Sequence, residues 1–407
     1  MVRQLCAALI WGSIILTGCA TDAALRESAR IPAPADNPRL QHAMAKLRRG
    51  ETVSVAVLGG SITAGHQAKP PASAGWAGLV ARWWREKAAE TGGKIEYHNA
   101  GASGTDSAFG AVRVRDQVLV YEPDVVFVEF AINDQWLNSR VRRRSYEGIL
   151  RQLLAGSSRS VILLALNEKA RPDKSAGADE ERIGDHYGLP TLVWADWVKL
   201  SAWDLYFTGG ETIHPNNEGH AGIAAGITAY LDAVWDSLPP DGAIPSVDPG
   251  LPEALVSGEF QNITLIGGND TEALAVPLES TGWQAQKAIL PDEWINSGKG
   301  LLTGWTTDKP DADLPIRVRG KSVGVLFTES DQYRNGLAWI EDPDGTEKPK
   351  VTINAYVSYR TGYYGYAYAE IADNLDPAKE YILHLAVNTG GRQNAPANVI
   401  GVVCTNL

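Results

Sequence analysis

The sequence predicts an α/β unit built on a doubly wound parallel sheet of five strands, followed by an all-β sandwich or jelly roll. Three observations carry that prediction. Near-continuous apolar strands alternate with helical patterns through residues 38–238, which is the signature of a parallel sheet covered on both faces. At Leu238-Pro239-Pro240-Asp241-Gly242 the texture changes, and Pro245, Pro249 and Pro252 extend the break. Beyond it helical periodicity largely disappears, and short β-rich runs separated by turn signals take over. A chain of 407 residues is long enough for two such domains.

In chain order, Pro38 to Arg49 reads as a helix closed by Gly50, and Val53 to Leu58 as the first strand. Ser73 to Glu90 is a helical pattern with Trp76, Leu79, Val80, Trp83 and Trp84 on its apolar side. Lys94 to Asn99 is a second strand, Asp106 to Tyr121 a helix, and Asp124 to Ala131 a third strand. Ser145 to Leu154 is helical, Ser160 to Leu166 is the fourth strand, and Asn167 to Asp179 a polar loop. A helix from Glu180 to Tyr187 leads to a short strand at Pro190 to Val193, and Asn216 to Ser237 is the last long helix. The β-rich runs that follow are Phe260 to Ile266, Leu314 to Val318, Ser322 to Phe327, Gly336 to Ile340, Lys350 to Ala355, Tyr381 to Val387 and Val399 to Cys404. Gly267-Gly268-Asn269-Asp270 and Asp342-Pro343-Asp344-Gly345 are turns between them.

The first residues read as an export signal. Arg3 precedes an apolar run, Leu5 to Leu16, that is short for a membrane span. The run ends in Leu16-Thr17-Gly18-Cys19, which resembles a bacterial lipobox whose cysteine becomes the lipidated first residue of the mature protein. The expected layout is a signal over 1–19, a tether over 20–37, an α/β domain over 38–238, a linker over 239–252 and a β-sandwich over 253–407. Contact with the membrane is then through the lipid on Cys19 alone, on a bacterial cell surface or facing the periplasm. Once Cys6 leaves and Cys19 is acylated, only Cys404 remains, so no internal disulfide is expected. The net charge of −11 argues against nucleic acid, which needs a basic face.

Four short stretches sit where a doubly wound sheet presents its carboxyl-edge loops. They are Gly59-Gly60-Ser61, Asn99-Ala100-Gly101-Ala102-Ser103-Gly104-Thr105, Phe130-Ala131-Ile132-Asn133-Asp134, and Glu211-Thr212-Ile213-His214-Pro215-Asn216. Separately each has a structural explanation: a capped turn at Ser61, a tight turn at Gly104, an Asx-turn at Asn133, and a helix entry at His214 capped by Asn216. Together they supply what acyl transfer needs. Ser61 offers a hydroxyl nucleophile and His214 a base to take its proton. Glu211, three residues before His214, can hold the imidazole in one tautomer, with Asp204 as the reserve acid. The backbone N–H groups of Ser61 and Gly104 and the side-chain amide of Asn133 can meet a developing oxyanion.

On these blocks the first domain resembles the SGNH hydrolases, also called GDSL-type esterases, over roughly residues 50–236. The four name-giving residues match Ser61, Gly104, Asn133 and His214. The resemblance implies a flavodoxin-like sheet of order 2-1-3-4-5 and a serine hydrolase of esters that uses no metal or other cofactor. Two departures stand out. Gly60 takes the place of the usual Asp, and Glu211 takes the place of the usual Asp three residues before the histidine.

No His/Cys/Asp cluster has metal-ligand spacing, and His98 and His186 read as structural. Trp136, three residues past Asn133, is a candidate sugar platform or equally a core residue. Arg140 opens a basic run with Arg142, Arg143 and Arg144, which reads as a solvated helix start or as contacts to an acidic glycan. Tyr356, Tyr359, Tyr363, Tyr364, Tyr366 and Tyr368 cluster in one segment of the second domain and suit either sugar stacking or strand packing. With export, these aromatic residues favour removal of O-acetyl groups from a polysaccharide or oligosaccharide, an acylated glycan being the partner. A lipase, lysophospholipase or thioesterase is the second reading, and a catalytically silent glycan-binding lipoprotein the third.

Overall fold

Strand β1 (Thr52–Gly59) is buried along nearly its whole length because both faces of its sheet are covered. Its side chains alternate: Val53, Val55 and Val57 enter one apolar cluster, Ala56 and Leu58 another. The computed structural model describes residues 37–167, 176–198, 203–239, 243, 246–248, 250–267, 275–277, 281–287, 303–358, 364–391 and 395–405. Cys19, the signal, nearly all of the expected tether, Tyr359 and Tyr363 lie outside the described residues.

Strands β2 (Lys94–Gly101), β3 (Val125–Glu129), β4 (Ser160–Ala165) and β5 (Thr191–Val193) complete a sheet of order β2-β1-β3-β4-β5, and the pairs are parallel. This is the expected doubly wound order. Helices α1 (Pro38–Arg48), α4 (Trp76–Thr91) and α10 (Asn217–Asp236) cover the first face with Leu40, Trp76, Trp84, Ile223 and Leu231. Helices α5 (Ser107–Gln117), α7 (Ser139–Leu154) and α8 (Gly177–His186) cover the second with Phe109, Tyr146, Ile149 and Ile183. Short turns fill the carboxyl edge: α2 (Ser61–Ala64), α3 (Pro71–Ala74), α6 (Ala131–Asp134) and α9 (Trp203–Tyr206). Asn37, expected at the end of the tether, caps α1: its Oδ1 accepts from Leu40 N–H at 3.0 Å, and its amide donates to Tyr230 Oη at 2.7 Å.

The carboxyl-terminal domain is two antiparallel sheets. One runs β13 (Val351–Ile353), β12 (Arg334–Glu341), β15 (Tyr381–Gly391), β10 (Asp313–Val318), β7 (Ala275–Pro277). The other runs β14 (Tyr364–Ala372), β11 (Ser322–Ser330), β16 (Ala397–Thr405), β9 (Thr303–Thr307), β8 (Gln284–Lys287), with β6 (Ile263–Ile266) also paired to β16. Val323, Val325, Phe327, Val402 and Cys404 point into the core between the sheets. Cys404 is a free thiol that burial pushes up to about 12, so it packs as an apolar group.

The second sheet is buried on its other face too. Leu326, Tyr366, Tyr368, Ile400 and Val403 join the cluster under α5 and α7. That double burial explains the near-continuous apolar run at the end of the chain, where a one-faced antiparallel strand would alternate. Two members of the tyrosine cluster therefore belong to the seam between domains: Tyr366 packs on Phe109 and Tyr368 on Phe260.

The basic run also has another role than solvation. Helix α7 begins at Ser139, earlier than its apolar periodicity suggests, and carries the arginines within it. Arg140 pairs with Glu370 and Asp373, while Arg142 and Arg143 share Asp179. Arg144, its side chain 4% exposed, is held between Glu259 and Glu370 of the β domain. Burial alone would weaken its charge, but the two carboxylates more than compensate and its guanidinium is held above its ordinary value. Nearby, the buried Glu147 accepts the N–H groups of Leu255, Val256 and Ser257, fixing the chain as it enters the second domain.

Removing Arg144 would take the shared partner from the buried Glu259 and the partly buried Glu370. Arg144→Ala is expected to cost about 3–5 kcal/mol of unfolding free energy in chemical denaturation. Arg140→Ala, at a half-exposed pair, is expected to cost less than about 1 kcal/mol. Equal small losses would show that the seam contributes little to stability.

Candidate active site

The carboxyl end of β1 is tightly packed. A Cβ added to Gly59 would lie 2.2 Å from Thr63 Oγ1 and 2.7 Å from the Glu129 carbonyl, so only glycine fits there. The Gly59 carbonyl accepts from Ala102 N–H at 3.0 Å and from the buried Arg113 guanidinium at 2.7 Å. Arg113 also reaches the Ala100 carbonyl, tying the ends of β1 and β2 together from below. Thr63 donates to the Glu129 carboxyl at 2.9 Å. Burial pushes Glu129 up to about 7 against the Thr63 and Gly60 hydrogen bonds.

Ser61, 7% exposed, opens the single helical turn α2 on this platform. Its Oγ lies 2.8 Å from His214 Nε2. His214 Nδ1 faces Glu211 Oε2 at 3.3 Å. The other carboxylate oxygen of Glu211 accepts three backbone N–H groups, from Thr212 and Ile213 at 2.9 Å and from His214 at 3.3 Å. One oxygen therefore folds the segment into a tight turn while the second meets the imidazole, a reach that the longer glutamate permits. Asp204, the reserve acid, lies exposed in α9.

Burial raises the Glu211 carboxyl, but the Ile213 and Thr212 N–H groups and the His214 ring outweigh it and bring it down to about 2. The sign is that of a depressed carboxylate. Its contribution to stability is complete above the ordinary carboxylate value and is lost only as pH falls towards about 2. Loss of activity between neutral pH and pH 5 then has to come from a group other than Glu211.

Gly104 is in the left-handed region, at φ 72°, and its carbonyl accepts from Tyr366 N–H of the second domain at 3.4 Å. The Asn133 amide donates to the Thr105 carbonyl at 2.6 Å and lies 3.0 Å from where a Cβ on Gly60 would be. Gly60, Asn133 and Thr105 thus meet beside the turn that carries Ser61, and His214 reaches Ser61 Oγ from the far end of the domain. The next residue, Asp134, acts elsewhere. Its buried carboxyl accepts from Ser107 N–H at 2.7 Å at the start of α5. The cap expected from the Asn133-Asp134 pair is real, but it is made by Asp134 across to another element.

Trp136 is 66% exposed just past α6. The charge of Arg140 is engaged by two carboxylates of the β domain. His98 stacks on Tyr121, and His186 bonds to the Glu253 carbonyl, both structural settings. One residue escaped sequence reasoning. His66, five positions after Ser61, stacks on the His214 ring with centroids 4.3 Å apart. Nothing in its neighbourhood marks it, since the contact depends on where His214 arrives from the far end of the domain. Among the described residues no group of His, Cys, Asp and Glu side chains could hold a metal ion.

Residues 57–221 match the model of the GDSL-like lipase/acylhydrolase family. A solved structure of a two-domain esterase (CEX) active on acetylated mannans is similar over both domains: 23% identity, 90% of this chain, 95% of that chain and a TM-score of 0.76. The same esterase co-crystallised with mannopentaose gives 24% identity, 90% and 94% coverage and a TM-score of 0.74. No curated protein matches the chain in sequence.

Glu211→Gln keeps the shape of the acid but removes its charge. It is expected to lower turnover of a short nitrophenyl ester by about 10⁴-fold, the scale found when a triad carboxylate is amidated. Asp204→Asn should leave turnover essentially unchanged. The reverse pattern would make Asp204 the acid.

Proposed function

We propose that this chain, whose residues 57–221 match the model of the GDSL-like lipase/acylhydrolase family, is a serine esterase that removes O-acetyl groups from a polysaccharide or oligosaccharide. The observation that carries the proposal is the hydrogen-bonded chain Ser61–His214–Glu211 at the end of β1. His214 Nε2 takes the proton of Ser61 Oγ as that oxygen attacks the ester carbonyl. The Glu211 carboxylate, charged well below neutral pH, holds the ring and stabilises the imidazolium. The tetrahedral oxyanion is met by the Ser61 N–H, which as the first residue of a helical turn has no intrahelical acceptor, together with the Gly104 N–H and the Asn133 amide. The imidazolium then protonates the leaving sugar oxygen. Water repeats the sequence on the acyl-enzyme and releases acetate.

Support for a glycan substrate comes from the shared two-domain organisation. The CEX esterase, similar over both domains, acts on acetylated mannans. Exposed Trp136 beside Asn133 offers a face for a sugar ring. A lipase would be expected to expose a broad apolar surface, and the exposed large hydrophobic residues among those described are four: Val120, Trp136, Leu205 and Leu255. The lipobox Leu16-Thr17-Gly18-Cys19 supports delivery of the enzyme to a membrane surface by lipid on Cys19. Among the described residues no helix is long and apolar enough to cross a membrane.

Wild-type protein is expected to release acetate from acetylated mannan or xylan, read with a coupled acetate assay, and Ser61→Ala to release none. Asn133→Ala is expected to lower kcat by about 10²–10³-fold, the cost of one oxyanion donor. Hydrolysis of long-chain acyl esters without acetate release from any glycan would turn the assignment towards a lipase. Equal rates for wild type and Ser61→Ala would overturn the serine mechanism.

A further inference from the structure

The His214 ring is restrained along its edge. Ser61 Oγ meets Nε2 at 2.8 Å and Glu211 Oε2 meets Nδ1 at 3.3 Å. The second contact is longer than the 2.7–2.9 Å usual for a charge-assisted bond. Bonds along the edge act in the plane of the ring, and tilting out of that plane swings Nε2 away from the serine.

His66 lies over a face of that ring. Its ring stacks on that of His214 at 4.3 Å between centroids, with 21° between planes. The backbone of His66 is pinned for this. Its N–H donates to the Ser61 carbonyl at 3.0 Å, so its position is set from the nucleophile itself. Its carbonyl accepts from Nε2 of the buried His220 at 2.9 Å, and His220 Nδ1 accepts from Trp76 N–H at 3.2 Å at the head of α4. With both ring nitrogens so engaged, His220 is a neutral tautomer that locks the loop after α2 against the core. Partial desolvation of the exposed His66 ring where it stacks lowers its affinity for a proton, with Glu211 opposing, so the stack favours the neutral ring. A neutral π face can accept the imidazolium that forms during turnover, whereas a second cation would repel it.

We propose that His66 is a positioning residue of the esterase: by stacking on the face of His214 it holds Nε2 in line with Ser61 Oγ. The inference rests on the serine-esterase reading and adds a group that acts through the His214 ring. The stack acts through ring orientation, so it bears on the chemical step and leaves ester binding alone.

The test is steady-state hydrolysis of nitrophenyl acetate by the full chain with Ser61→Ala, His66→Ala and His66→Phe. His66→Ala is expected to lower kcat about tenfold, the scale of one aromatic pair, with KM unchanged. His66→Phe restores a face without an imidazole and is expected to recover most of kcat. Since His66 is exposed, the melting temperature of either variant should stay at the wild-type value. Wild-type kcat in His66→Ala overturns the proposal, and so does a His66→Phe enzyme as slow as His66→Ala. If His66→Ala does not fold, His66→Phe alone decides: recovery supports the stack and a tenfold loss overturns it. Activity remaining in Ser61→Ala would overturn the serine mechanism itself, whereas an inactive Ser61→Ala beside an unimpaired His66→Ala removes only the role of His66.

Discussion

The close approach at Gly59 is the constraint on which the site depends. With no side chain there, Thr63 and the β3 backbone come within van der Waals distance of the β1 end. The Gly59 carbonyl is then free to receive both Ala102 N–H and the Arg113 guanidinium. The nucleophile turn, the loop carrying Gly104 and the end of β3 are thereby joined within a few ångströms. Any side chain at 59 would push these apart, and with them the Ser61 hydroxyl, Gly104 and the Asn133 amide. Preorganisation of this kind lets polar groups meet developing charge without rearranging during the reaction.

Carboxyl groups around the site fall into two kinds according to environment. Glu129, Asp134 and Glu180 are buried, and burial raises all three, with Asp134 and Glu180 further raised by neighbouring acids. Glu129 and Asp134 accept hydrogen bonds from Thr63 and Ser107, and burial disfavours the charged form of all three. Glu211 sits at the rim with three N–H groups on one oxygen and keeps its charge. The same functional group thus gives scaffolding below and electrostatic support above, set by solvation and by N–H donors.

The two domains share an apolar cluster, and the charges crossing between them are largely removed from water. Arg144 between Glu259 and Glu370, with Tyr366 and Tyr368 beside it, replaces the solvated helix start and the sugar-stacking tyrosines that the linear sequence allows. The seam reaches the candidate site: β14 donates Tyr366 N–H to the Gly104 carbonyl, so the second domain steadies the loop that carries Gly104.

By itself the sequence determined the parallel sheet, the break near Pro239, the β-rich second half and the order of the four blocks, because each is written in local periodicity and in turn chemistry. It also put Glu211 within three residues of His214, a spacing short enough for the chain alone to bring them together. Strands β7, β8, β9 and β14 were not legible, since their residues take strand form through pairing with distant partners. Tertiary structure alone decided that Arg140 and Arg144 of α7 clasp a second domain, that Tyr366 and Tyr368 face inward, and that His66 lies on His214. The physical reason is common to all three. A side chain's role there is fixed by which surface folds against it, and that surface comes from a distant part of the chain.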